Sequence, residues 1–388
     1  MSARCAYLDY AATTPVAPQV AARMAQCLTL EGAFGNPGSA SHPYGEAASE
    51  QVESARAQVA AAVGAQAREV LFTSGATESN NLAIFGTAHY YRDAGRHIVT
   101  ARTEHKSVLD PCKELERRGW SVTYLAPDGQ GILDPERVAA AVRADTVLVS
   151  VMHVNNETGV VQDIAAIADR CARMGRARVH VDAAQSVAKC ELDFGALGVD
   201  LMSLSAHKAY GPKGAGALLV SHARGAHLTP LQFGGGQERA LRSGTLATHQ
   251  AVGMGAAFEL ASSRWREELG NIARLKERLW HRLSALDGLA RNGGAAAVPH
   301  ILSVSFEGVE GESLLAAVQS HIAVSTGSAC TSAAREPSYV LRAMGRDERL
   351  AESTLRFSFG RFTTDADIDR AGEVVTRAVQ RLRRIAGA

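Results

Sequence analysis

Residues 177–186 read ARVHVDAAQS and residues 200–208 read DLMSLSAHK, two short apolar runs that each end in polar residues. Runs of this length and composition predict buried β-strands rather than helices. The first strand ends at Asp182, and the second runs into Ser205 and Lys208. Because ligands bind at the carboxyl ends of the strands in open α/β sheets, these polar residues are candidate site residues.

Segments of the same kind lie on both sides of this pair. They are EVLFTSG at 69–75, RHIVTA at 96–101, SVTYLAP at 121–127, TVLVSVMHV at 146–154 and GALLVS at 216–221. Amphipathic stretches lie between several segments, and in an earlier stretch Val52, Ala55 and Val59 share a helical face. Apolar strands that alternate with helices predict a mainly parallel sheet covered on both faces, and therefore an α/β fold.

The pattern changes near residue 262. A long, charged, amphipathic helix is predicted over residues 264–286, followed by the strand-like segments ILSVSFEGV, HIAVST and LRFSFG and by a closing helix. We therefore expect two domains. The large α/β domain would cover 16–261, and a smaller α+β domain would combine 1–15 with 262–388.

Composition excludes several classes of protein. The chain has 41 basic and 40 acidic residues, whereas a nucleic-acid-binding protein normally has a basic excess. No apolar stretch approaches the ~18 residues of a membrane span, and the first residues lack the apolar core of a secretory signal. The six cysteines are scattered without a C-x-x-C pair, so no metal centre or disulfide framework is expected. The cytoplasm is the expected location.

Lysine is scarce, with six among the 41 basic residues. A lysine that enters a partly buried strand end, as Lys208 does, is expected to have a lowered pKa, which imine formation requires. A surface lysine beside a turn is the alternative. Asp182 would need a cation if it is buried, although a helix N-cap is its ordinary alternative. The GPKG segment around Lys213 lacks the residue order of a Walker nucleotide-binding loop and is interpreted as a glycine-containing turn.

Three further segments carry candidate residues. Ser74 to Thr77 should form a strand-to-helix turn suited to phosphate, or a helix N-cap without a ligand. His105 follows another strand, where a single histidine is usually structural. Cys330 lies among small polar residues in a segment expected to be exposed, where a thiolate can react. An incidental exposed thiol is the alternative there.

Many ordered motifs resemble one known family. They are YLDYAATTP, FGNPGS, FTSGATESNNLAI, TEHKSVLD, HVNNETGVVQDI, HVDAAQS, SAHKAYGPKG, GGGQER, RSGT, GSACTS and LRFSFGRFTT. Together they resemble the cysteine desulfurases of the IscS and NifS type, in the class-V aminotransferase group of fold-type I pyridoxal-phosphate (PLP) enzymes. The resemblance implies a fold-type I architecture with PLP as the cofactor.

The resemblance also implies roles for residues around the cofactor ring. Lys208 would hold the cofactor covalently, and Asp182 would pair with its pyridinium nitrogen. Gln185 would reach the phenolic oxygen, with Asn156 nearby. His105 would stack on the ring and shuttle a proton.

Further roles concern the phosphate, the substrate and the sulfur. The implied phosphate ligands are Ala76, Thr77, Ser205 and His207, joined by Thr245 from the other subunit of a homodimer. Arg356 would bind the substrate carboxylate. Cys330 would attack the sulfur of L-cysteine, so that alanine leaves and a persulfide remains on the enzyme.

The family's partners would be sulfur acceptors, such as an iron–sulfur scaffold or carriers for tRNA and cofactor thiolation. No metal of its own is implied, although Cys330 could transiently ligate a cluster shared with a scaffold. Another class-V enzyme, such as a selenocysteine lyase or an aminotransferase, would share Lys208 and Asp182 without needing Cys330. A catalytically silent assembly scaffold is the non-enzyme alternative.

Overall fold

The computed structural model describes residues 5–326 and 337–387. Its strands are β1 (Ala6–Tyr7), β2 (Val70–Thr73), β3 (His97–Ala101), β4 (Ser121–Leu125), β5 (Thr146–Met152), β6 (Arg178–Asp182), β7 (Leu201–Ser205), β8 (Gly216–Val220), β9 (Leu289–Asn292), β10 (Ile301–Phe306), β11 (Ile322–Ala323), β12 (Ser325–Thr326) and β13 (Thr354–Ser358). Its α-helices are α1 (Pro18–Ala25), α2 (Pro43–Ala62), α3 (Ala76–Tyr91), α4 (Lys106–Arg117), α5 (Pro135–Ala140), α6 (Ile164–Met174), α7 (Phe194–Leu197), α8 (Thr248–Leu283), α9 (Gly311–Val318), α10 (Tyr339–Ala343), α11 (Glu348–Glu352) and α12 (Asp365–Ala386).

The large sheet is formed by the seven segments that the sequence predicts as strands. Its strand order is β2-β8-β7-β6-β5-β3-β4. The pairs from β7 to β4 are all parallel, whereas β8 runs antiparallel to both of its neighbours. Strands β5 and β7 are buried along their whole length, as expected for a sheet covered on both faces. The prediction of a mainly parallel α/β sheet is confirmed.

Helices cover both faces of this sheet. On one face, α2, α6 and the first part of α8 pack into a common core that includes Val52, Ala55 and Val59, so the predicted apolar face is confirmed. On the other face, α3 and α4 pack against β3 and β5 through Ile84 and Val108. The two helical layers leave the carboxyl ends of the strands at one edge of the domain.

A second, smaller sheet has the order β12-β13-β10-β9 and is antiparallel throughout. It packs with α9, α12 and the second part of α8 around a separate core. The predicted helix over 264–286 is therefore the end of α8, which belongs to the first core as far as Ala261 and to the second from Ile272. The domain boundary at residue 261 falls inside this helix and stays a prediction.

Two local features complete the fold. The predicted strand HIAVST is divided, because β11 pairs in parallel with β1 while β12 pairs antiparallel with β13. Helix α12 begins with a capping box, in which Thr364 and Asp367 each accept the other's backbone N–H. Within residues 5–326 and 337–387, every helix is too short or too polar to cross a bilayer.

Candidate active site

A cavity of about 580 Å³ lies at the carboxyl ends of β5, β6 and β7. Its wall contains all but two of the predicted site residues. Those in the wall are Ala76, Thr77, His105, Asn156, Asp182, Gln185, Ser205, His207, Lys208 and Arg356. These residues come from positions spread over 281 residues of sequence. Parallel strands bring them together, because their carboxyl ends meet at the same edge of the sheet.

The two remaining predicted residues are placed differently. Thr245 is exposed and does not line the cavity of its own chain. Cys330 lies outside the described residues. The described chain on either side of it reaches the site, because Ser325 lines the cavity and the Tyr339 hydroxyl donates to the carbonyl oxygen of Glu104 at 2.8 Å.

Asp182 is the last residue of β6, and its side chain is held by two donors. Oδ1 accepts from the Ala184 backbone N–H at 3.0 Å, and Oδ2 accepts from Asn80 Nδ2 at 2.8 Å. The residue is only 5% exposed, although it lines the cavity. A buried carboxylate that is already oriented by hydrogen bonds is well suited to bind a cationic group in the cavity.

His105 forms the N-cap of α4, and this position determines where its ring carries a proton. Nδ1 accepts from the Ser107 backbone N–H at 3.1 Å, and a backbone N–H can only donate. The neutral ring therefore carries its proton on Nε2. The Ser107 hydroxyl lies 2.8 Å from the same Nδ1 and must also donate to it.

Asn80 connects these two residues and was missed in the sequence reasoning, as was Ser107. The Asn80 amide nitrogen donates to Asp182 Oδ2 and to the Ser107 hydroxyl oxygen, both at 2.8 Å. With the amide turned round, its oxygen would face the carboxylate, so the network fixes the orientation. The only sequence signal was that both residues lie inside motifs already noted, FTSGATESNNLAI and TEHKSVLD.

Lys208 ends a single 3₁₀ turn, Ala206–Lys208, directly after β7. Its Nζ donates to the carbonyl oxygens of Ala11 and Ala12, each at 2.7 Å. Burial, and then the positive charges of nearby lysines beginning with Lys208, lower the pKa of His207 to about 4. The imidazole of His207 is therefore neutral at pH 7 and can donate a hydrogen bond without adding charge.

Lys189 lies behind Gln185 and is a third residue missed in the sequence reasoning. Its Nζ donates to Gln185 Oε1 at 2.7 Å, while Gln185 Nε2 donates to the Ala11 carbonyl at 2.8 Å. Burial, and then the positive charge of Lys208, lower the pKa of Lys189 to about 7. Lys189 contacts a residue of the cavity wall without being part of that wall.

The amino end of α3 is a candidate anion site at the same cavity. Gly75 is the N-cap, with φ 151° and no side-chain cap, and Ala76 begins the 16-residue helix. The first backbone N–H groups and the helix dipole favour a bound anion such as phosphate. A Cβ on Gly216 would lie 2.5 Å from the Gly75 Cα, so β8 can approach this turn closely only with glycine there.

Arg356 in β13 brings the small sheet to the cavity. Its Nη1 donates to the Asn156 carbonyl and its Nη2 to Asp9 Oδ1, both at 2.8 Å. Arg356 Nε and Asn156 Oδ1 are buried without a hydrogen-bond partner among the described residues. Unsatisfied polar atoms are uncommon in folded proteins, and at a cavity wall they indicate a site for a ligand.

Comparison with known proteins agrees with this geometry. The family model for class-V aminotransferases matches residues 6–371. The chain is 55% identical to the cysteine desulfurase IscS of Pectobacterium atrosepticum over 378 residues, which are 97% of this chain and 93% of that protein. It is also 55% identical to the IscS of Azotobacter vinelandii over 380 residues, 98% of this chain and 94% of the other.

Solved structures give the same result. A NifS-like protein superimposes with a TM-score of 0.89 at 34% identity, covering 98% of this chain and 99% of the other. SspA, solved in complex with cysteine, gives a TM-score of 0.80 at 38% identity over 92% of this chain and all of the other. The cavity, the sequence identity and the shared fold together show that this chain belongs to the class-V aminotransferase family, in its branch of IscS cysteine desulfurases.

Proposed function

We propose that this chain is a PLP-dependent cysteine desulfurase that converts L-cysteine to L-alanine and carries the sulfur as a persulfide on Cys330. The observation that carries the proposal is the meeting of Lys208, Asp182 and His105 in one cavity of a chain 55% identical to IscS enzymes. The cofactor fits the donors present. It has a pyridine nitrogen, a phenolic oxygen, an aldehyde and a phosphate, and the cavity offers a complementary group for each.

The residues that would hold PLP follow from this complementarity. Lys208 would bind the aldehyde covalently, Asp182 would bind the ring nitrogen and Gln185 the phenolic oxygen, with Asn156 beside it. The phosphate would lie at the α3 amino end among Ala76, Thr77, Ser205 and His207. When bound, PLP supplies an electron sink for negative charge on the substrate's α-carbon.

This chain's own groups handle the protons. The Lys208 amine lies beside the Ala11 and Ala12 carbonyls and accepts the α-proton of the substrate. His105 presents its Nε2–H, because its Nδ1 is occupied as an acceptor, and donates that proton within the cavity. Arg356 binds the substrate carboxylate with its remaining N–H groups, since contacts with other described residues use two of the five donors of its guanidinium.

Sulfur transfer requires a thiolate that reaches the cavity. The Cys330 thiolate would attack the substrate sulfur, forming the S–S bond as the C–S bond breaks. The electron pair of the broken bond goes to the carbon side, which takes up a proton and leaves as alanine. Three residues near Cys330 in sequence support this role. Ser325 lines the cavity. Ser338 contacts Glu157 and Tyr339 contacts Glu104, and these two glutamates are next to wall residues in sequence.

A homodimer is part of the proposal because Thr245 does not line the cavity of its own chain. The segment carrying it is held to the free edge of β2, where Glu238 accepts from the Phe72 backbone N–H at 2.6 Å and from Arg56 at 2.7 Å. Nearby Phe233 is 80% exposed, an apolar surface that a second copy would cover. We propose that Thr245 reaches the phosphate of the partner copy.

The cellular location and the partner proteins are also part of the proposal. The five described cysteines, Cys5, Cys27, Cys112, Cys171 and Cys190, are all free thiols, which favours the reducing cytoplasm. The persulfide would pass to sulfur-acceptor proteins such as an iron–sulfur scaffold, where Cys330 could transiently ligate a shared cluster. Among the residues that the structure describes, His, Cys, Asp and Glu form no group able to hold a metal ion.

Two measurements test the proposed function. Borohydride reduction of the PLP-loaded protein followed by peptide mapping should label Lys208. Lys213 also lines the cavity, so a label there would contradict the assignment. Cys330→Ser should retain PLP while sulfide release from L-cysteine falls to background, and turnover at the wild-type rate would place the nucleophile elsewhere.

A further inference from the structure

Lys189 is buried, carries a titratable amine and has no role in the mechanism above. It is 5% exposed, and its Nζ makes its shorter contact, 2.7 Å, with Gln185 Oε1. A second contact of 3.5 Å reaches the carbonyl oxygen of Lys208. A lysine is rarely buried to this degree without a specific partner, so its contact with Gln185 requires an explanation.

The contact determines which way the Gln185 amide faces. A lysine amine donates and never accepts when it is charged, so the atom that meets it must be the amide oxygen. The amide nitrogen then lies on the opposite side, where it donates one hydrogen to the carbonyl of Ala11, a residue of the cavity wall. Its second hydrogen is available to a group bound in the cavity.

This orientation is not sensitive to the charge of Lys189. Burial lowers the pKa of its amine to about 7, so both protonation states occur near neutral pH. The ammonium has three hydrogens to donate and the neutral amine keeps two. The Gln185 oxygen therefore has a donor in either state, and its amide nitrogen stays turned toward the cavity.

We propose that Lys189 is a positioning residue that fixes the Gln185 amide so that its nitrogen donates to the phenolic oxygen of PLP. The proposal rests on the function proposed above, in which Gln185 contacts that oxygen. Without Lys189, the amide keeps its contact with the Ala11 carbonyl but loses the donor to its oxygen, so a half-turn that presents this oxygen to the phenolic oxygen becomes less costly. Binding would then lose one hydrogen bond and gain a repulsion.

Lys189 has a second route by which it could act, and the test must separate the two. Its positive charge lies close to Lys208 and would affect the reactivity of that amine directly. An effect through Gln185 disappears when Gln185 is removed, whereas an effect through Lys208 persists. A double-mutant cycle distinguishes them.

The experiment measures the PLP dissociation constant by titrating cofactor-free protein, together with the absorption spectrum of the bound cofactor as a function of pH. Lys189→Met should weaken PLP binding roughly tenfold, the usual effect of one hydrogen bond, and move the midpoint of the spectral transition. In a Gln185→Ala background the same change should alter the constant less than about twofold. Lys276→Met is the matched control, because Lys276 is equally buried but donates to Val298 outside the cavity.

The outcomes separate this proposal from the proposed function. Equal effects of Lys189→Met with and without Gln185 would overturn the positioning role, and so would an unchanged constant and midpoint in the single variant. If Gln185→Ala alone changes neither quantity, the assignment of Gln185 in the proposed function fails instead. Lys189→Ala gives the same comparison if circular dichroism shows that the methionine variant does not fold.

Discussion

Replacing Asn80 with leucine should cost more stability than replacing any comparable asparagine outside the site. The substitution keeps the volume of the side chain and removes both of its donated hydrogen bonds, one to the Asp182 carboxylate and one to the Ser107 hydroxyl. Asn292 provides a matched control. Its amide nitrogen also donates to two buried acceptors, the hydroxyls of Ser303 and Ser305, in the small sheet.

The magnitude follows from the difference between the two sets of acceptors. In both asparagines the amide oxygen is buried without a hydrogen-bond partner in the part of the chain that the structure describes, so the gain from removing that atom is the same in both variants. A hydrogen bond to a charged group contributes about 1.5–3 kcal/mol, against about 0.5–1.5 kcal/mol for a neutral pair. Asn80→Leu should therefore lower the free energy of unfolding by about 1–2 kcal/mol more than Asn292→Leu.

Urea unfolding of the cofactor-free protein at pH 7.5 and equal protein concentrations measures this difference. Asp182→Asn makes the acceptor neutral, so in that background the excess cost of Asn80→Leu should largely disappear. Equal losses for Asn80→Leu and Asn292→Leu would refute the reasoning, because they would mean that the Asp182 contact carries no charge-assisted contribution.

Three other predictions concern stability and the anion site. Because burial lowers the pKa of Lys189 from 10.5 to about 7, the unfolded chain binds one more proton between these pH values. The stability of the wild type relative to Lys189→Met should thus rise with pH across that window, by about 1.4 kcal/mol per unit, and parallel urea-unfolding curves would contradict this. Thr364→Ala removes half of the capping box of α12 and should lower the free energy of unfolding by about 1 kcal/mol, seen as a lower Tm, whereas an unchanged Tm would mean that the end of the helix contributes little. Gly216→Ala places a methyl group against Gly75 and should destabilise by about 1–3 kcal/mol and weaken PLP binding, which calorimetry measures; wild-type affinity would show that the turn can move aside.

The strands and the main site residues could be predicted because each leaves a local mark in the sequence. Apolar runs of five to seven residues predict strands such as β5 and β7, and a polar residue at the end of such a run, like Asp182, is conspicuous. The direction of β8 could not be predicted, since an apolar run carries no information on whether its neighbours are parallel. The start of α8 at Thr248 was also missed, because its first turns are buried on most sides and show no amphipathic period.

The partners of the site residues are a different case. Asn80 in α3 contacts Asp182, which is 102 residues away in sequence. Lys189 contacts Gln185 only four residues earlier, but the sequence does not show that its amine is buried. In a linear sequence, a buried asparagine on a helix cannot be distinguished from an exposed one. Only the motif around Thr245 predicts a role for this residue, because it does not line the cavity of its own chain.

Helix α8 has a mechanical consequence for the cavity. At 36 residues it is about 54 Å long, and it is a single rigid rod embedded in both cores. Its second half is braced against α12 by the ion pairs of Arg274 with Asp365 and Arg278 with Asp369. A hinge between the sheets would have to bend this rod, so the gap between Arg356 on one side and Lys208 on the other has a preset width. The distance between these two side chains is therefore set by the fold and not by a movement of one sheet against the other.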